Sequence, residues 1–364
     1  MRKKTTLKDI ACFSKGSQIN GDLLLDEGKY EYLNGGTKAS GTWNEFNVNG
    51  KTITISEGGN SCGYVNFMEE KFWCGAHCYY LFDVKCKPKY LYYLLKGNQS
   101  NLMKLRSGAC MPNIKKSDLG NFKFIYDNDV IHQDKIISIF DNLTNVIYFY
   151  EKQIKYFDNL VKARFIEMFG DAVDNPMEWK KRKLQEIVTD DCTISYGIVQ
   201  TGNDQEDGVP VFRPVDIVNK IPKLTELKKT TEEISNRYKR TILKGRELLI
   251  TVRANIADTC IIDEEFKGCN VGRGIVPIRI QEDIMVLEFL KYLLDSKHLN
   301  DDIKSKAKGI TLIQLNMEDL REVELICPPL EKQMDFVEFA KQVDKSRFDI
   351  KKSIIELERE VVYD

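Results

Sequence analysis

Eight apolar residues between Gln133 and Phe169 limit what this chain can become: Ile136, Phe140, Leu143, Ile147, Tyr150, Ile154, Phe157 and Val161. They follow one another at steps of 4, 3, 4, 3, 4, 3 and 4. A mean step of 3.5 keeps a narrow apolar stripe facing one partner helix, the arrangement of a coiled-coil seam. A stripe that narrow covers no core of its own and needs a mate. The mate lies 200 residues further on: Phe336, Ala340, Val343, Arg347, Ile350, Ile354, Leu357 and Val361 repeat the spacing with one charged exception. Antiparallel pairing of the two helices would bring the intervening segments back to back. The pattern predicts two modules held apart by a helical rod.

Other matches follow the same interval. Leu7-Lys8-Asp9-Ile10 resembles Leu184-Gln185-Glu186-Ile187 at an offset of 177. Gly50-Lys51, Ile53 and Ile55 match Gly245-Arg246, Leu248 and Ile250 at 195, as Asn60, Glu70 and Cys74 match Asn255, Glu265 and Cys269. Tyr93-Leu94-Leu95 matches Tyr292-Leu293-Leu294 at 199, and Gly108, Ile114, Asp118 and Leu119 match Gly309, Leu315, Asp319 and Leu320 at 201. Offsets that drift slowly while order is kept read as a tandem duplication with loop insertions. Short β-type runs such as Thr52–Ile55 and Tyr79–Phe82, broken by Gly- and Asn-rich turns, make the modules β-rich. The expectation is an α+β chain, pseudo-two-fold duplicated: module one over 1–128, a central helix over 129–170, a linker over 171–178, module two over 179–328 and a distal helix over 329–364.

Length and composition fit this division. At 364 residues, with 42% apolar and 30% charged residues, the chain holds more than one core and is ordered rather than disordered. The formal net charge of −1 argues against a general nucleic-acid coat protein, though net charge hides patches. No run of apolar residues is long enough to cross a membrane, and Arg2-Lys3-Lys4 opens nothing like a secretory leader. The ten cysteines therefore read as reduced thiols of a cytoplasmic protein.

Catalytic patterns are missing from the sequence. The three histidines, His77, His132 and His298, occupy non-equivalent places, so no duplicated His-based site exists. His77 between Cys74 and Cys78 is the nearest approach to a ligand cluster, and small buried thiols explain it better than a metal. There is neither a Walker loop nor a G-x-G-x-x-G after a strand. Asp174-Asn175-Pro176-Met177 lacks the aromatic that an adenine methyltransferase would stack on a flipped base, and reads as linker. Glu265-Phe266-Lys267 lacks the partner Asp of a metal-dependent nuclease and reads as an exposed turn.

Two similar modules on a stiff spacer suit a two-part linear target. A helix of 37 residues is roughly 55 Å long at about 1.5 Å per residue, some one and a half turns of B-DNA. The loops after the strand-like runs carry residue types that DNA readout uses: Arg for guanine, Asn for adenine, Lys or Arg for phosphate. The first module offers Asn34, Lys38, Asn60 and Arg106; the second offers Arg213, Arg253, Asn255, Arg273, Lys306 and Lys308. For any one of them a solvated loop charge is an equal reading. Trp43 reads as core rather than a base-stacking platform.

Several phrases together resemble one family, the specificity (S) subunit of type I restriction-modification systems. Phe165-Ile166-Glu167-Met168-Phe169-Gly170-Asp171, then Asn175-Pro176-Met177-Glu178-Trp179, resembles the end of its central helix and the start of a second target-recognition domain. Gly309-Ile310-Thr311-Leu312-Ile313-Gln314-Leu315, then Pro328-Pro329-Leu330-Glu331-Lys332-Gln333, resembles the exit into its distal helix, and Phe212-Arg213-Pro214-Val215-Asp216-Ile217 fits too. Departures are an exit from module one, Phe124–Asn128, that lacks the paired prolines and so is open to a different bend, and Arg347 in the seam. There either Phe348 substitutes or Arg347 lies at an edge.

The resemblance implies a non-catalytic subunit that binds bipartite double-stranded DNA and docks two methyltransferase (M) subunits on its helices. The cofactors would lie elsewhere: S-adenosylmethionine in M, ATP and Mg in two optional restriction (R) subunits, none in this chain. The competing readings are a self-contained DNA nuclease or methyltransferase with recognition domains, and a coiled-coil scaffold that binds no DNA.

Overall fold

The computed structural model describes residues 2–108, 112–217, 223–309 and 313–363. Ile310-Thr311-Leu312 of the exit phrase lies outside the described residues, as does the side chain of Val361. The chain forms two compact units, Met1–Ile154 with Asp349–Asp364, and Lys155–Phe348. Each has its own core.

In the first unit, the strand Arg2–Thr6 pairs antiparallel with Lys123–Asp127, so the module's first strand lies against its last, just before the central helix begins. Between them lies an antiparallel sheet in the order Cys12–Lys15, Cys78–Phe82, Thr52–Ser56, Val65–Met68. A second sheet places Tyr30–Leu33 between Gly41–Trp43, antiparallel, and Phe72–Cys74, parallel. The helix Pro88–Gly97 buries Tyr90, Leu91, Tyr93 and Leu95, spaced so that one face meets the sheet. Ile53, Ile55, Val65, Tyr79 and Leu81 fill the core beneath it. Trp43 is half-buried and stands opposite Tyr30 in the second sheet.

The second unit repeats this plan. Lys181–Lys183 pairs with Glu324–Ile326. Glu247–Thr251 lies between Thr259–Ile262 and Ile275–Ile278, both antiparallel. Val209–Phe212 has one antiparallel neighbour, Lys228–Thr230, and one parallel neighbour, Asn270–Val271. Among the described residues, every strand except Cys12–Lys15 thus has a counterpart in the same order and sense, at offsets close to those found in the sequence. Leu287–Leu294 takes the place of Pro88–Gly97.

The long helices run from Val130 to Phe169 and from Leu330 to Tyr363. Every central seam residue from Ile136 to Phe157 is half-buried and Val161 is buried; Phe336, Ala340 and Val343 are buried, and Ile350, Ile354 and Leu357 half-buried. Within the second unit, Phe165 meets Phe336 at 5.4 Å between ring centroids, Arg164 lies over Phe339, and Arg347 binds Asp158. One number falls as its partner rises, so the helices run antiparallel.

Arg347 stays on the seam. Its guanidinium bridges Asp158 at 3.0 Å and Asp344 at 2.8 Å, while Phe348 is 68% exposed and does not replace it. The turn after the central helix is built by Asn175, at φ 51°, whose side chain accepts from the Trp179 N–H and donates to its carbonyl. Glu264–Phe266 is a short 3₁₀ turn whose Phe266 is core, not an exposed motif.

Candidate nucleic-acid interface

In the first module the loops that follow Tyr30–Leu33, Thr52–Ser56 and Phe72–Cys74 meet at one end of the sheets. Gly75 N–H donates to Leu33 carbonyl at 2.8 Å, and Glu57 N–H to His77 carbonyl at 2.9 Å. Ser61 Oγ donates to Gly35 carbonyl at 2.6 Å. Gly35 is required there: its φ is 83°, and a Cβ would lie 2.3 Å from the His77 carbonyl oxygen. A fourth loop closes over them. Ser107 and Asn113 exchange two backbone bonds of 2.9 Å, Gly59 N–H reaches Pro112 carbonyl, and Ile114 N–H reaches Glu57 carbonyl.

The second module builds the same cluster with other side chains. Gly272 N–H donates to Phe212 carbonyl at 2.8 Å, as Gly75 does to Leu33. Lys308 and Gln314 exchange backbone bonds as Ser107 and Asn113 do, and Leu315 N–H reaches Val252 carbonyl as Ile114 reaches Glu57. Two non-glycine residues here, Ala254 and Ala257, have φ of 59° and 64°. Such backbone is costly for a side chain with Cβ, so the loop between them is held by its bonds, not by preference.

The ten residues singled out from the sequence all lie on these loops, but not all are free to read DNA. Lys38, Asn60, Arg106, Asn255, Arg273 and Lys308 are exposed. Asn34 is half-buried and its Oδ1 accepts the His77 N–H at 3.1 Å, so it fixes a turn. Arg213 is gripped by Asp216 through Nε at 3.1 Å and Nη2 at 2.9 Å. Arg253 Nη2 donates to Gln314 Oε1, and its buried Nε has no partner among the described residues. Lys306 pairs with Asp302 at 2.7 Å, and Lys308 lies 3.7 Å from Asp319.

Sequence reading missed Glu57, nearly buried and paired with Lys15, with His77 Nδ1 3.8 Å away. It also missed Gln133 and Gln333, one at the start of each long helix. Gln133 accepts from Lys87 N–H and donates to Asp127 carbonyl; Gln333 accepts from Val286 N–H and donates to Ile284 and Pro328 carbonyls. Their separation of 200 residues was the available signal. The same clamp at both junctions holds module one's proline-free exit as it holds Pro328-Pro329. At Cys74, the hydrogen-bonded thiol of Cys78 and burial together push the pKa up, which keeps the thiol protonated and suits a core residue.

Loops with different polar side chains, mounted twice on one scaffold, define a recognition protein built from duplicated modules. The sequence family described as the type I restriction modification DNA specificity domain matches residues 2–156 and 176–359, and this chain belongs to it. A type I specificity subunit of Mycoplasma pneumoniae is 38% identical over 144 residues, 38% of each chain. One from Mycoplasma genitalium is 35% identical over 154 residues, 40% of each. The specificity subunit of the Escherichia coli type I restriction enzyme EcoBI is 27% identical over 179 residues, 49% of this chain and 38% of that one. The matched stretches thus span about two fifths of these curated relatives.

Among solved structures, the S subunit of a type I restriction-modification system from M. genitalium aligns over 100% of this chain and 95% of its own, with a TM-score of 0.56 at 20% identity. A chain solved in work on complex assembly and conformational transition of the type I R-M system aligns over 99% and 95%, with a TM-score of 0.63 at 16% identity. At those identities the likeness is one of fold. Among the described residues, no helix is long and apolar enough to cross a membrane.

Proposed function

We propose that this chain selects the DNA sequence for a type I restriction-modification complex. Each module reads one half of a bipartite double-stranded site through its loop cluster, and two M subunits dock on the long helices. S-adenosylmethionine then belongs to the M subunits, ATP and Mg to R subunits where these join, and the chain itself holds no cofactor and catalyses nothing. The observation that carries this reading is the loop cluster itself. Equivalent backbone bonds, Gly75 to Leu33 and Gly272 to Phe212, support unlike side chains in the two modules. A common frame with different polar tips is what two readers of different sequences need.

The test is to express the chain with type I M subunits and map methylated adenines by single-molecule sequencing. The expected result is a split motif, two short half-sites with a fixed unread gap. A continuous site would overturn the bipartite reading, and no methylation from a complex that forms and binds cofactor would overturn the DNA-specificity reading.

A further inference from the structure

The near-zero net charge conceals a division. Residues 1–128 carry 18 Lys and Arg against 12 Asp and Glu, a balance of +6; the rest carries 36 against 43, a balance of −7. We propose that the first module supplies most of the sequence-independent grip on DNA phosphates, through Lys38, Lys104, Arg106 and Lys115, while the second contributes chiefly base readout. This rests on the reading of the chain as a DNA-binding subunit.

The structure places these four cations around one loop cluster. Lys104 and Arg106 run into the Ser107–Asn113 pairing and Lys115 leaves it; Lys38 ends the loop whose Gly35 carbonyl receives Ser61. All four are exposed, and among the described residues none forms an ion pair. Glu57, the one carboxylate in these loops, is turned inward and already bound to Lys15.

The second module's loops hold more cations, but most are tied. Asp216 holds Arg213, Asp302 holds Lys306, Asp319 lies beside Lys308, and Lys304 is near enough to Asp258 to act on its carboxylate. Arg253, bound to the neutral Gln314, and the exposed Arg273 are the exceptions among the described residues. A cation that meets phosphate releases a counterion condensed on the DNA, and that release drives binding. A cation already held by a carboxylate must first leave it or bring its negative charge along. The module with more basic residues in its loops therefore has the weaker grip.

The experiment uses the full chain and a short random-sequence DNA duplex, with affinity read by fluorescence anisotropy over a series of KCl concentrations. Because each phosphate contact adds about 0.9 to the slope of log affinity against log salt, Lys104→Ala with Arg106→Ala should flatten it by roughly 2. Lys38→Ala with Lys115→Ala is an independent pair expected to do the same. Lys306→Ala with Lys308→Ala should flatten it by less than about 1. Equal flattening by first- and second-module pairs overturns the proposal while leaving the DNA-binding reading intact. No salt-dependent binding by the unaltered chain overturns that reading and the proposal with it.

Discussion

Gln133 and Gln333, 2% and 0% exposed, each close a gap that backbone alone leaves open. A loop carbonyl and a loop N–H face the start of a helix, and one amide side chain satisfies both. Gln333→Met keeps the volume but strands the Val286 N–H and two carbonyls, which costs about 1–3 kcal/mol by the usual penalty for buried unpaired groups. Gln133→Met strands one N–H and one carbonyl and should cost less. Hydrogen exchange would show it: the Val286 amide should lose protection in the first variant and the Lys87 amide in the second. Unchanged exchange at those amides would refute the clamp.

Asp191 invites a second substitution. Hydrogen bonds from Lys244 and Thr189 hold its carboxyl down at about 2, well under its ordinary value near 3.8. A depressed folded-state pKa gives stability that is present above the unfolded value and is lost as pH falls through the folded one. Asp191→Asn should therefore be less stable than the natural chain at neutral pH, and the difference should close between about pH 4 and pH 2. Since Asp191 is half exposed, the effect is small. A stability difference that stayed constant down to pH 2 would exclude this origin. The residue scale is also where the sequence was least legible. That Asn34 serves a backbone N–H 43 positions away, and Arg253 a side chain 61 positions away, follows from how strands are brought together. No local pattern encodes it.

At the scale of elements the sequence said far more. A seam residue must be apolar at every 3.5 positions whatever the modules do, so the helices were readable from spacing alone. The strand Thr52–Ser56 and its counterpart Glu247–Thr251 were readable because burial on both faces selects β-branched and aliphatic residues. Arg347 was the ambiguous position, and its placement on the seam leads to a paired test. Arg347→Ile removes a half-buried guanidinium whose Nε has no partner among the described residues and restores the apolar repeat. Asp158 and Asp344 stay half exposed to water when the guanidinium goes, so the lost ion pairs cost no more than about 1 kcal/mol, and seam packing by Ile offsets that cost. Phe348→Ala removes a ring that is 68% exposed and should change stability by less than about 0.5 kcal/mol. Thermal unfolding of the two variants decides it. The reverse ranking, with Phe348→Ala the costly change, would mean that Phe348 and not Arg347 occupies the seam.

For the whole molecule, the central helix of 40 residues is one unbroken element shared by both compact units, its residues to Ile154 in one and from Lys155 in the other. If the two modules read two half-sites, the long helices set the unread distance, and that distance can be changed without touching either reader. One heptad inserted after Tyr150 and one after Ile354, positions that continue the antiparallel order set by Asp158 and Arg347, keeps both seams in phase because seven residues are two seam turns. It adds about 10 Å of helix at 1.5 Å per residue, close to 3 base pairs of B-DNA. Adenine methylation by the complex with M subunits should then shift to a motif with the same half-sites and a gap longer by about 3 base pairs. Two inserted residues in each helix should instead turn the apolar stripes about half a turn away from each other, and the complex should lose activity rather than gain a gap. New half-site sequences with the old gap would mean that the readers, not the helices, fix the spacing.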